Sequence, residues 1–76
     1  MSELPQVTGA RLLRALERAG FRSVRQVGSH VFIQHVKDKA RCAVIPVHGS
    51  RVIKPGTLRA ILQGVRLSVE ELRDLL

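Results

Sequence analysis

Residues 21–36, FRSVRQVGSHVFIQHV, decide the fold of this chain. The segments 21–27 and 30–36 are rich in β-branched and aromatic residues, and Gly28-Ser29 separates them. A two-residue loop with glycine first is typical of a type II′ turn, which joins antiparallel strands. The stretch therefore predicts a β-hairpin. A third strand is predicted at about 41–47, after a short polar loop at 37–40.

Helix signals lie on both sides of the strands. Thr8 is a suitable N-cap, Pro55 is typical of a first helical turn, and Ser68 with Glu71 forms a capping box. Three helices are predicted, at about 8–19, at 55–65 and from 69 onward. The element order α-β-β-β-α-α gives an α+β fold, in which helices cover one face of a three-stranded antiparallel sheet. We expect residues 1–76 to form a single domain.

The hairpin register predicts which side chains share a face of the sheet. If Val27 pairs with His30, then Val24 pairs with Ile33, and Val24, Val31 and Ile33 share the core face. The opposite, open face then holds five residues, which are Ser23, Arg25, His30, Phe32 and Gln34. A β-bulge would invert this assignment. The loop at 37–40 predicts that His30 lies across from Val47.

Charge is the most informative feature of the composition. Thirteen Lys and Arg residues face six Asp and Glu residues, which gives a net charge of +7, and residues 1–69 alone carry +9. A basic excess on a small domain indicates a polyanionic partner, either nucleic acid or an acidic protein, although a basic surface can also serve only solubility. On the first helix, Arg11, Arg14 and Arg18 recur at a spacing that places them on one solvated side.

Several classes of protein are disfavoured by the sequence. The apolar runs are too short to span a membrane, and the segment 1–5 does not resemble a secretory leader, so a cytoplasmic location is expected. Cys42 cannot form an intramolecular disulfide, and its apolar neighbours predict a reduced thiol in the core. The three histidines lack metal-ligand spacing, and no cofactor motif is present.

The histidines differ in their expected roles. His35 is read as structural, whereas His30 directly follows a tight turn and is expected to be exposed. The predicted topology brings His48 to the same end of the sheet, with Lys54 and the start of the second helix nearby. His48 is expected mainly as a turn residue, with an auxiliary role in chemistry as the alternative. A helix N-terminus beside basic side chains suits a phosphate group.

Five short segments occur along the chain in a recognisable order, which is TG at 8–9, AGF at 19–21, RQVGSH at 25–30, IPVHG at 45–49 and PGTL at 55–58 followed by Ile61-Leu62. Together they resemble the HicA toxin family over nearly the whole chain. The most specific of them is Gly28-Ser29-His30. The resemblance implies a double-stranded-RNA-binding-like fold, in agreement with the predicted order of elements.

The resemblance also implies a function. HicA proteins are mRNA interferases, which are small toxins that cleave RNA, block translation and act in stress responses, and their partner is a HicB antitoxin that covers the active site. The catalytic histidine of the family corresponds to His30. Many members carry a second polar or histidine residue where this chain has Val31, so the chemistry beside His30 differs here.

A mechanism follows as a hypothesis. The RNA 2′-OH would be the nucleophile and His30 the general base, with neither metal nor cofactor. RNA-binding roles are expected for six residues, which are Arg25, Ser29, Arg51, Lys54, Gly56 and Thr57. His48, a lysine or water would protonate the leaving oxygen. Two alternatives remain open, which are an RNA-binding module without catalysis and a domain that mainly binds an acidic protein.

Overall fold

The computed structural model describes residues 3–76 and has three helices and one sheet. Residues 1 and 2, which belong to the segment predicted not to be a leader, lie outside the described residues. The elements in chain order are α1 (Gly9–Arg18), β1 (Phe21–Val27), β2 (His30–His35), β3 (Cys42–Pro46), α2 (Pro55–Val65) and α3 (Val69–Leu75). The sheet is antiparallel in the order β1-β2-β3, which confirms the predicted α+β fold.

The helix ends follow the predicted capping signals. Thr8 Oγ1 accepts a hydrogen bond from the Arg11 amide at 3.2 Å, which caps α1. Pro55 begins α2, as its fixed φ favours. The capping box of α3 is complete, because Ser68 Oγ accepts from the Glu71 amide and the Glu71 carboxylate accepts from the Ser68 amide.

One apolar core lies between the helices and the inner face of the sheet. Val31 and Ile33 of the central strand β2 are buried in it, as predicted. Every element contributes, and the buried residues are Val7, Leu12, Ala15, Leu16, Phe21, Val31, Ile33, Ile45, Ile53, Leu58, Ile61, Leu62, Val65 and Leu72. Burial of one such aliphatic or aromatic side chain contributes roughly 1.5–3 kcal/mol, so this core holds the two layers together.

The register of the first hairpin departs from the prediction at one residue. Val27 pairs with His30 and Arg25 with Phe32, as expected, but a bulge at Val24 makes Ser23 pair with Ile33. The predicted pairing of Val24 with Ile33 is therefore wrong, and Val24 is 49% exposed instead of buried. The inserted residue shifts the alternation of β1, so Ser23 takes the place opposite Ile33 that was predicted for Val24.

The second hairpin is offset by one residue from the prediction. His30 pairs with Pro46 and not with Val47, because the His35 amide bonds to the Arg41 carbonyl and the loop comprises five residues, 36–40. The same register places Cys42 at the first position of β3, on the outer face of the sheet. The prediction of a buried thiol is wrong, since Cys42 is exposed.

His35 has the structural role predicted for it. Its ring meets Phe21 edge-on with the centroids 4.9 Å apart, and Nδ1 accepts from the Lys37 amide at 3.1 Å. Nε2 lies 3.1 Å from the Ala19 carbonyl oxygen. Both bonds form together when the proton is on Nε2, so this imidazole fastens the end of α1 to the end of β2.

Two glycines let helices approach β3 closely. A Cβ added to Gly9 would overlap the Pro46 carbonyl oxygen and lie 3.0 Å from Val47 Cα. A Cβ added to Gly64 would lie 2.5 Å from the Cys42 carbonyl oxygen. Backbone cannot rotate aside as a side chain can, so both contacts require glycine.

The first prediction concerns Gly9. Gly9→Ala should lower the free energy of unfolding by about 1–3 kcal/mol, because the added methyl group must displace the end of β3. Denaturant unfolding would measure the loss. Gly56→Ala is the matched control, since nothing lies within 4 Å of an added Cβ there. Equal unfolding midpoints for the two variants would contradict the predicted clash.

The second prediction concerns the capping box of α3. The hydrogen bond from the Ser68 amide lowers the pKa of Glu71 below its ordinary value. A lowered folded-state pKa gives stability that is present above the unfolded pKa and is lost as the pH falls through the folded one. Wild type should therefore lose thermal stability on acidification more steeply than Glu71→Gln, which keeps a hydrogen-bonding side chain without the charge. Parallel curves of melting temperature against pH would contradict this.

Candidate functional site

His30 is held at the end of the central strand by a tight turn. Gly28 has φ +57° and Ser29 does not have positive φ, which is the pattern of the type II′ turn predicted for this loop. His30 is the first residue of β2 and pairs with Val27 on one side and with Pro46 on the other. The alternation that buries Val31 turns the His30 side chain to the outer face, where it is exposed.

His48 approaches His30 from the segment after β3. The ring centroids of the two histidines are 6.1 Å apart, with their planes at 86°. His48 Nε2 lies 3.4 Å from Ser29 Oγ, and the Val47 amide donates to the Ser29 carbonyl oxygen at 2.7 Å. These contacts connect the hairpin turn to the end of β3, so two imidazoles from different segments lie next to each other.

A cleft of about 260 Å³ extends from His48 toward the start of α2. Its lining residues are Pro46, His48, Arg51, Val52, Ile53, Lys54 and Thr57. Lys54 is the N-cap residue of α2, and within the described residues its side chain forms no capping bond. The first amides of a helix lack intrahelical acceptors, so Gly56 and Thr57 present N–H groups and partial positive charge at this end.

The loop that carries these residues is fixed by pairing with the start of the chain. Thr8 forms an isolated antiparallel bridge with Val52, and the Ile53 amide donates to the Val7 carbonyl oxygen at 2.8 Å. Val7 and Ile53 are buried, which anchors this crossing in the core. Most of the residues that line the cleft belong to a loop, and these backbone contacts hold that loop against the core.

The cleft is positively charged. Arg51 and Lys54 line it, and none of its lining residues is acidic. The ion pair between Asp38 and Arg66, at 3.6 Å, joins the 36–40 loop to the end of α2. It does not involve the two cations that line the cleft. Within residues 3–76, no three His, Cys, Asp or Glu side chains lie close enough together to hold a metal ion. The arrangement suits an anion such as a phosphate diester.

The structure brings most of the predicted site residues together, but not all. His48, Arg51, Lys54 and Thr57 line the cleft, and Ser29 contacts His48. His30 lies beside His48 at its edge. Besides His30 and Ser29, two more predicted residues do not line the cleft: Arg25 stacks over the Phe32 ring at 5.5 Å on the outer face, and Gly56 is exposed at the start of α2.

Three lining residues of the cleft and the bridge that holds its loop were not predicted from the sequence. Pro46, Val52 and Ile53 form apolar walls beside the cations. A five-residue loop in the second hairpin would have placed Pro46 opposite His30. Thr8 and Val52, which pair, are 44 residues apart in the sequence, so no local signal predicts their contact.

This combination defines a small basic α+β protein with an exposed histidine pair at a cationic cleft. The family model described as "HicA toxin of bacterial toxin-antitoxin" matches residues 9–67, which is most of the chain. The chain belongs to the HicA toxin family, and it is therefore a toxin-type component of a toxin–antitoxin pair. A search of curated protein sequences finds no match.

Proposed function

We propose that this HicA-family protein is an endoribonuclease that cleaves mRNA with His30 as general base. The observation that carries the proposal is the His30–His48 pair, 6.1 Å apart, at the edge of a cleft lined by Arg51 and Lys54. Family membership supports RNA as the substrate. Both imidazoles are exposed, so a bound RNA strand can reach them.

The reaction uses the 2′-OH of the substrate itself. His30 takes the proton from the 2′-OH, and the resulting oxygen attacks the adjacent phosphorus. The bond from phosphorus to the 5′-oxygen breaks, which leaves a 2′,3′-cyclic phosphate on one fragment. A proton must reach the departing 5′-oxygen, and we assign its delivery to His48. Ser29 Oγ, 3.4 Å from His48 Nε2, orients that ring.

Cations and amides stabilise the extra charge on phosphorus. Arg51 and Lys54 line the cleft, and α2 begins beside it with the free amides of Gly56 and Thr57, so these groups would donate to the phosphate. Arg25, stacked on Phe32 next to His30 on the outer face, would contact the strand beyond the cleaved bond. Five of the six predicted RNA-binding residues thus have a place along one strand, and Ser29 acts through His48.

The cellular role follows from the chemistry. Cleavage of mRNA in the cytoplasm would block translation, as expected of a stress-response toxin, and an antitoxin of the HicB type would suppress it by covering the histidine pair. The charge of +7 suits both an RNA and an acidic antitoxin. None of the helices formed by residues 3–76 is long and apolar enough to cross a membrane.

The third prediction tests the general base. His30→Ala should lower the rate of RNA cleavage by about 10²–10⁴-fold, the contribution typical of general acid–base catalysis. Because His30 is exposed, the variant should keep the wild-type melting temperature. Product length and the cyclic phosphate end would be measured on a labelled RNA, and growth arrest on induction would be scored alongside.

Two outcomes separate this proposal from a binding module. An RNA with a 2′-deoxy sugar at the cleaved position should bind and stay intact, and its cleavage would reject the 2′-OH mechanism. If wild type binds RNA with the salt dependence of phosphate contacts but cleaves none, the non-catalytic module is correct.

The fourth prediction tests the role of His48. His48→Ala should lower the cleavage rate of ordinary RNA, because the departing 5′-oxygen then lacks its proton donor. A substrate with sulfur in place of the 5′-oxygen has a leaving group that needs no proton. It should restore the rate of His48→Ala but not that of His30→Ala. Equal rescue of both variants would contradict the assignment.

A further inference from the structure

A row of arginines lies on α1, outside the histidine site. Arg11, Arg14 and Arg18 are all exposed on one side of the helix. At 1.5 Å rise per residue, they span about 10 Å along its axis. They border a groove of about 420 Å³ together with Thr8, Ala10 and Leu76.

Two of these guanidinium groups are available to a ligand. Arg18 Nη1 donates to the Leu75 carbonyl oxygen at 2.5 Å, which fixes that side chain against the end of α3. Within residues 3–76, neither Arg11 nor Arg14 uses its guanidinium in a hydrogen bond or an ion pair. Like charges three and four residues apart on a helix repel one another, so the row favours an anion that spans them.

The groove beside Arg11, Arg14 and Arg18 lies next to the cleft that His48 lines. Thr8 borders the groove and pairs with Val52, which lines the cleft. A strand that leaves the cleft across this bridge therefore meets Arg11 first and Arg14 one turn further along α1.

The chemistry of the groove favours a nucleic acid over a protein. Protein interfaces are depleted of charge at their centre, whereas half of the six residues that line this groove are arginines. A row of cations about 10 Å long can contact more than one phosphate of the same strand. A regular series of negative charges is what such a row can bind.

We propose that Arg11 and Arg14, on the exposed side of α1, form a second RNA-binding subsite for the strand that flanks the cleaved bond. The proposal rests on the proposed ribonuclease function for the identity of the ligand. It goes further because it adds a surface on α1 that binds RNA but takes no part in its cleavage. The protein would then prefer RNAs that extend several nucleotides beyond the histidine pair.

The fifth prediction tests this subsite with the double variant Arg11→Gln and Arg14→Gln. Glutamine has a similar helix propensity, so α1 should remain intact. In a His30→Ala background, the Kd for an RNA oligonucleotide long enough to contact both the cleft and the groove on α1 should rise about tenfold at physiological salt. Loss of two single-strand phosphate contacts should reduce the slope of log Kd against log salt by about 1.4. With His30 present, KM should rise by a similar factor while kcat at saturating RNA stays unchanged.

The matched control is Lys37→Gln with Lys39→Gln. It removes the same charge from the 36–40 loop, at the end of the sheet away from His30. An unchanged Kd and slope in the α1 variant, or an equal loss in the control, would overturn the subsite. Loss of binding to an acidic protein without loss of RNA affinity would overturn it too. If wild type cleaves no RNA, the proposed function fails, and the Kd measurements still decide on the subsite.

Discussion

The structure depends on the one-sided burial of its central strand. Val31 and Ile33 are 4% and 1% exposed beneath the helices, and because side chains alternate along a strand, His30 and Phe32 must face outward. A slip of one residue in β2 would bury an imidazole and expose two aliphatic side chains. Hydrophobic packing on one face of the sheet therefore holds His30 in place on the other.

Local signals were enough to predict the elements and the position of His30. The caps at Thr8 and Ser68, the proline of α2 and the Gly28-Ser29 turn depend on residues close in sequence, and each is confirmed. The bulge at Val24 was not predictable in the same way. Valine has no special turn chemistry, and the bulge follows from the burial of Phe21, whose ring packs beneath Arg41 and against His35.

The cleft was predictable only in part, because non-local pairing forms it. The sequence placed His48 and Lys54 near His30 through the order of the strands. The one-residue error in the second hairpin left the wall at Pro46 unidentified. The bridge between Thr8 and Val52 closes the loop against the first turn of α1, and that contact depends on Gly9 admitting the β3 backbone. Such close approach is set by tertiary packing and not by local propensity.

The free edge of β1 affects whether copies of this protein can pair through their sheets. β1 is an edge strand of seven residues, a length at which unpaired amides and carbonyls invite a neighbouring chain to extend the sheet. The bulge at Val24 interrupts the regular spacing of those groups, and Arg22 and Arg25 place like charges along the same edge. The strand is thereby a poor template for adding another chain, so the sheet can leave this edge uncovered without polymerising through it.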